Sequence, residues 1–124
     1  MLTIEVIISS GLLVLIWIIQ ILHYPSFLFV DRTRFSHFEQ FHTKRITTIV
    51  LPLMIAELGL VIVHFRPIVF GIVSLIWLST FFLQVPCHEK LKRGFDEKVI
   101  RKLILTNWIR TSLWTIKFLV LVTT

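Results

Sequence analysis

The chain of 124 residues contains a single cysteine, Cys87. Neither a disulfide framework nor a cysteine-rich metal knuckle can be built from it. Glycine is almost as scarce, with four residues at positions 11, 59, 71 and 94, and none of them forms a glycine-rich phosphate loop. No Ser/His/Asp triad can be assembled from the pattern. Charge is thin: 16% of residues are Asp, Glu, Lys or Arg, against about 25% in an average soluble domain. Acids are the scarcer sign, seven against 13 Lys and Arg, for a formal net charge of +6. Apolar residues fill the space, at 56% with a mean hydropathy of +0.86. A soluble domain of this size buries about two-thirds of its surface. Such a composition would leave large apolar patches in water, which excludes an ordinary soluble enzyme.

One domain fits the length. Four stretches, 4–22, 46–65, 68–85 and 103–122, approach the roughly 20 apolar residues that a membrane-spanning helix needs. Their apolar runs do not alternate, so a β-barrel is excluded. No Lys or Arg precedes the first stretch and no Ala-x-Ala site follows it, so it does not read as a cleavable signal peptide. The expectation is an all-α integral membrane four-helix bundle with up-down-up-down topology. Its two longer loops, 23–45 and 86–102, fall on one side. They hold Arg32, Arg34, Lys44, Arg45, Lys90, Lys92, Arg93, Lys98, Arg101 and Lys102, while Arg66 stands alone on the other. The positive-inside rule places those loops in the cytoplasm and the N and C termini on the non-cytoplasmic side. The basic charge is then a topology signal that also attracts anionic lipid. The bilayer is the expected partner and nucleic acid is not. A bacterial inner membrane fits best, and homo-oligomerisation stays open.

Local signals refine the picture. Ser36-x-x-Glu39 has the form of a capping box. Pro52 is expected to kink the second span, and Asp96 or Glu97 to start the last helix after a turn at Gly94. Leu15-Ile16-Trp17 before Gln20 and Pro25 is echoed by Leu75-Ile76-Trp77 before Gln84 and Pro86. Two tandem hairpins or coincidence in a Leu/Ile/Trp-rich chain would each account for the echo.

Ionisable residues inside a span are costly and need a reason. At 1.5 Å per residue, Glu57, Arg110 and Lys117 lie about 16, 10 and 21 Å deep from the basic side. Glu57 therefore falls between two cations, as part of a structural ion pair between the second and fourth helices; in the alternative, Glu57 or Arg110 is a proton or substrate-anion contact in the bundle interior. Leu103, Asn107, Arg110, Trp114, Lys117 and Leu121 follow a 3-4 spacing, so this partly polar stripe should face inward. Trp17 and Trp77 are candidates to line a cavity.

A denser cluster stands near the basic end, where Gln20, His23, Tyr24, Glu39, His42, Arg45, Gln84, Cys87, His88, Glu89, Asn107 and Arg110 converge from all four helices. Such convergence in an apolar bundle marks the default active site. His42, His88, Arg110 and Asn107 are the candidate catalytic residues. His23, Glu39, His42 and His88 could ligate Fe, Cu or Zn, and two of His23, His42 and His88 could hold a haem. A single Glu39-x-x-His42 is weaker than the paired motifs of di-iron bundles. The capping role of Glu39 competes with it, and interfacial histidines commonly serve lipid or backbone.

Val85-Pro86-Cys87-His88-Glu89-Lys90-Leu91 and Asn107-Trp108-Ile109-Arg110-Thr111, together with Trp17, Pro25 and Pro52, resemble the anthrone-oxygenase-like family of small four-helix membrane proteins. The resemblance implies oxygen-dependent oxidation of an aromatic, membrane-soluble substrate, with Asn107 and Arg110 as polar residues of the last helix. His88 departs from the family pattern, where a loop Asn is expected. Two functions follow as expectations. One is an oxidoreductase or oxygenase acting on a lipophilic small molecule from a His/Glu/Arg/Asn pocket near the cytoplasmic face. The other is a non-enzymatic transporter or oligomeric scaffold using Glu57, Arg110 and Lys117.

Overall fold

The computed structural model describes residues 2–123, without the side chain of Leu2. These form four helical rods: α1 (Thr3–Phe29), α2 (Phe35–Val63), α3 (Pro67–Leu91) and α4 (Glu97–Thr123). The first three are long and apolar enough to cross a membrane. At 27 residues α4 is as long, about 40 Å at 1.5 Å per residue. Its Asn107, Arg110 and Lys117 make it less apolar, so the expected fourth span does not match the others in composition.

Much of 23–45 and 86–102 is helix. Only residues 30–34 and 92–96 are irregular at the basic end, and 64–66 at the other. The physical reason is local. Tyr24–Phe29 and Phe35–Ile46 carry apolar side chains at helical spacing, which continue the buried faces of the spans. In the first connection Asp31 accepts the Thr33 amide and hydroxyl. In the second, Gly94 takes φ 146°, a conformation that L side chains rarely adopt. Asp96 then caps α4 by accepting the amides of Lys98 and Val99, as its position predicts.

The capping box is a correction. The N-cap of α2 is Arg34 and no side chain caps it. Ser36 instead donates to the Lys92 carbonyl, tying the start of α2 to the second connection. Glu39 turns into the bundle, where His88 of α3 meets it. Pro52 lies inside α2 without interrupting it.

Two departures from regular helix recur at matched places. Residues Ile19–His23 of α1 and Thr80–Gln84 of α3 form π turns, in which the Tyr24 amide bonds Ile19 O and the Val85 amide bonds Thr80 O. Each of these amides belongs to the residue just before a proline, Pro25 or Pro86. A proline ring collides with the carbonyl four residues back in a regular α-helix, and the wider turn ahead relieves that collision. The sequence echo thus marks a shared backbone feature.

Apolar and polar layers alternate along the bundle. Phe27, Phe35, Leu91, Ile100 and Leu103 pack together at the basic end. Leu12, Ile16, Met54, Ile76 and Trp114 form a second cluster, and Val61, Val69 and Val73 a third. Along α4, Asn107 and Arg110 fall between the first two clusters, and Lys117 lies beyond the second. The α4 stripe read from the sequence is buried throughout, with Ile100 and Thr111 added to it.

Candidate functional site

Polar side chains from all four helices meet in one hydrogen-bonded chain. Gln20 enters from the π turn of α1, where it is 2% exposed, and Tyr24 follows one turn later. From α2 comes Glu39, fully buried. His88 projects from the end of α3, and Asn107, Arg110 and Thr111 from α4.

At the centre, Arg110 Nε donates to Asn107 Oδ1 at 2.9 Å, Nη1 to Thr80 Oγ1 at 3.2 Å and Nη2 to Tyr24 Oη at 3.3 Å. Tyr24 Oη lies 3.1 Å from His88 Nε2, and His88 Nδ1 lies 2.5 Å from Glu39 Oε1. Thr43 donates to the same Glu39 oxygen. With an acceptor carboxylate at Glu39, the network assigns the tautomer: His88 Nδ1–H donates to Glu39, and Nε2 accepts from Tyr24. Every donor between Arg110 and Glu39 then points the same way. On the other side, Asn107 Nδ2 and Thr111 Oγ1 both donate to Gln20 Oε1, and Gln20 Nε2 donates to Ile104 O. Gln84 accepts from Ser79 and donates to Thr106, holding the π turn of α3 against α4.

The chain borders an apolar cleft of about 300 Å³. Tyr24, Thr80, Gln84, His88 and Arg110 form its polar wall; Ile46, Val50, Leu51, Met54, Trp77 and Phe81 contribute most of the rest. The exposed side chains of Leu51, Phe81 and Val85 place its mouth on the outer surface between α2 and α3. Trp77 lines this cleft. Trp17 does not, packing edge-on against Trp108 and donating to Thr115.

Of the candidate catalytic residues, His88, Arg110 and Asn107 are brought together in this chain. His42 stands apart from it, stacked on Phe38 and packed against Phe27 and His23, with ring centroids 4.7 Å from His23. The candidate metal ligands do not form one donor set. His88 has both ring nitrogens engaged, and Glu39 gives Oε1 to His88 and Thr43. Glu39 Oε2 and His42 Nε2 are buried without a protein partner. Among the described residues, no group of three or more His, Cys, Asp or Glu side chains is placed to hold a metal ion. The sequence pattern assigns no role to Tyr24, Gln20 or Thr80. Tyr24 is the only tyrosine in the chain, and that rarity is the one signal that could have singled it out.

A second polar layer is self-contained. Lys117 Nζ lies 2.6 Å from Glu57 Oε2, and Trp114 Nε1 donates to both Glu57 oxygens. Of the two cations in reach of Glu57, Lys117 takes it and Arg110 does not. At the far end, Arg66 meets the buried Glu5 at 3.3 Å. No family model, curated protein or solved structure matches the chain.

Proposed function

We propose that the chain is a membrane enzyme that moves a proton on a lipophilic substrate held in the α2–α3 cleft. The observation that supports this reading most is the one-directional chain Arg110–Tyr24–His88–Glu39 on the polar wall of an otherwise apolar cleft. Glu39 orients His88 by accepting its Nδ1–H. His88 accepts the Tyr24 proton, and Arg110 stabilises the tyrosinate oxygen that results. That oxygen can then take a proton from an acidic C–H or O–H of a bound substrate. Asn107 and Gln20 hold the guanidinium in place. The oxygenase activity implied by the anthrone-oxygenase-like resemblance would begin with this step, because loss of a benzylic proton gives an electron-rich enolate that reacts with dioxygen.

In the same reading the four helices run up-down-up-down through a bacterial inner membrane, α4 included, with both termini on the non-cytoplasmic side. The basic residues at the ends joined by the two connections support that orientation. Glu57 is given over to Lys117 and Trp114, an arrangement that suits a structural pair better than a transport path.

Purified protein incubated with anthrone in D2O tests the reaction. Deuterium should enter the methylene position faster than in buffer, with dioxygen consumed. Tyr24→Phe and His88→Gln should each slow exchange by about 10²–10⁴-fold. Exchange at the wild-type rate in Tyr24→Phe overturns the proposal.

A further inference from the structure

Arg110 is 6% exposed, and among the described residues it makes no ion pair with a carboxylate. Its three hydrogen-bond partners, Asn107, Thr80 and Tyr24, are all neutral. A buried guanidinium without a counter-ion is unfavourable, and in a membrane protein such a residue ordinarily marks a ligand or ion contact. Glu39, the carboxylate nearest along the chain, gives the oxygen on this path to His88 and Thr43. Glu89 also borders the cleft, but it is exposed and pairs with Lys92. The guanidinium still has donors to offer, since the three bonds use Nε and one N–H on each terminal nitrogen. One N–H therefore stays on Nη1 and one on Nη2. The remaining N–H groups can each donate a charge-assisted hydrogen bond to an anionic oxygen. Arg110 forms part of the cleft wall, and the surfaces leading away from it are apolar.

We infer that the cleft binds an amphiphilic carboxylate. The head group pairs with Arg110 beside Thr80, and the apolar tail lies along Val50, Met54, Trp77 and Phe81 toward the mouth between α2 and α3. One negative charge balances one guanidinium, so a monoanion suits the site better than a phosphate dianion. The inference rests on the proposed site and names a second ligand class for it: a carboxylate paired with Arg110 takes the guanidinium that a tyrosinate at Tyr24 needs, so it occupies the cleft as a competing ligand rather than as the reacting substrate.

Equilibrium binding of carboxyl-13C-labelled dodecanoate to the full chain in phosphatidylcholine nanodiscs tests the inference. Saturable binding is expected, with dodecanol and dodecyl phosphate weaker by about tenfold or more, the scale of one charge-assisted hydrogen bond. Arg110→Gln should remove this preference. Because Arg110 also supports the buried network, Val50→Trp provides an independent variant. It fills the cleft away from that network and should abolish dodecanoate binding while thermal unfolding stays near wild type. Saturable, carboxylate-selective dodecanoate binding by a protein that fails to speed anthrone exchange would uphold the inference and overturn the proposed reaction, so binding and chemistry stand or fall separately. Equal affinity for dodecanoate and dodecanol overturns the inference, as does equal affinity for dodecyl phosphate. Undiminished binding in Val50→Trp overturns it too.

Discussion

Arg110 and Lys117 lie two helical turns apart on one face of α4, and their neighbours give them opposite fates. Lys117 meets Glu57 and is closed off, whereas Arg110 faces neutral partners, the Trp114 ring among them, and the cleft. Removing one member of a buried ion pair leaves the other uncompensated, which costs about 3–5 kcal/mol. Glu57→Gln or Lys117→Met should therefore lower the unfolding free energy in detergent by about that amount. The double change to Leu at both positions should cost less than the sum, because no bare charge is left behind. Denaturant titration of the four proteins checks this. Asn107 carries a different load, since it accepts from Arg110 and donates to Gln20. Asn107→Leu strands the Arg110 Nε–H, while Gln20 keeps Thr111 and Ile104 as partners, and an unfolding loss of about 1–3 kcal/mol is expected from the unmet buried hydrogen bond. In sequence the α4 stripe was legible because its 3-4 spacing is a local pattern. The Glu39–His88 contact was not, because 49 residues separate the pair, and Ser36 before Glu39 offered a plausible local partner. Capping logic is local, and a buried partner on another helix outweighed it.

Within α1 and α3 the decisive element is the π turn ahead of proline. Such turns recur at functional sites because the extra residue re-aims the side chains that follow. Here they turn Gln20 inward on α1 and place Thr80 and Gln84 against α4. Pro86→Ala restores an N–H that can bond the carbonyl of Phe82, so the π turn of α3 should relax to regular α-helix. Thr80 would then rotate away from Arg110, and His88 would shift relative to Tyr24. Circular dichroism should show unchanged helix content while anthrone exchange falls by at least the amount expected for a misplaced acid–base group, about 10²-fold. Retained exchange in a relaxed helix would show that the turn does not position the site. The sequence showed the two prolines and their upstream glutamines as an echo. It could not show a π turn, because hydrophobic periodicity registers the average helix and not one added residue.

At the scale of the whole molecule, the segregation of charge and the lateral cleft make separate demands. Basic residues cluster on the two connections at one end, so that end should face the cytoplasm. With Cys87→Ser as background, Arg93→Cys should react with a membrane-impermeant maleimide only after the cells are opened. Phe65→Cys, 59% exposed at the opposite connection, should react in intact cells. The reverse pattern would invert the proposed orientation. The sequence by itself determined the helical class, the apolar lengths, the inward face of α4 and the end of the bundle that gathers positive charge. These depend on composition and on spacings within one turn or two. Only the tertiary structure decided which polar groups pair. It gave Glu57 to Lys117 and Glu39 to His88, split the four proposed metal ligands, and put Tyr24 between His88 and Arg110. Those outcomes depend on the rotation and depth of each helix relative to the other three, which packing of the apolar layers sets and no single helix encodes.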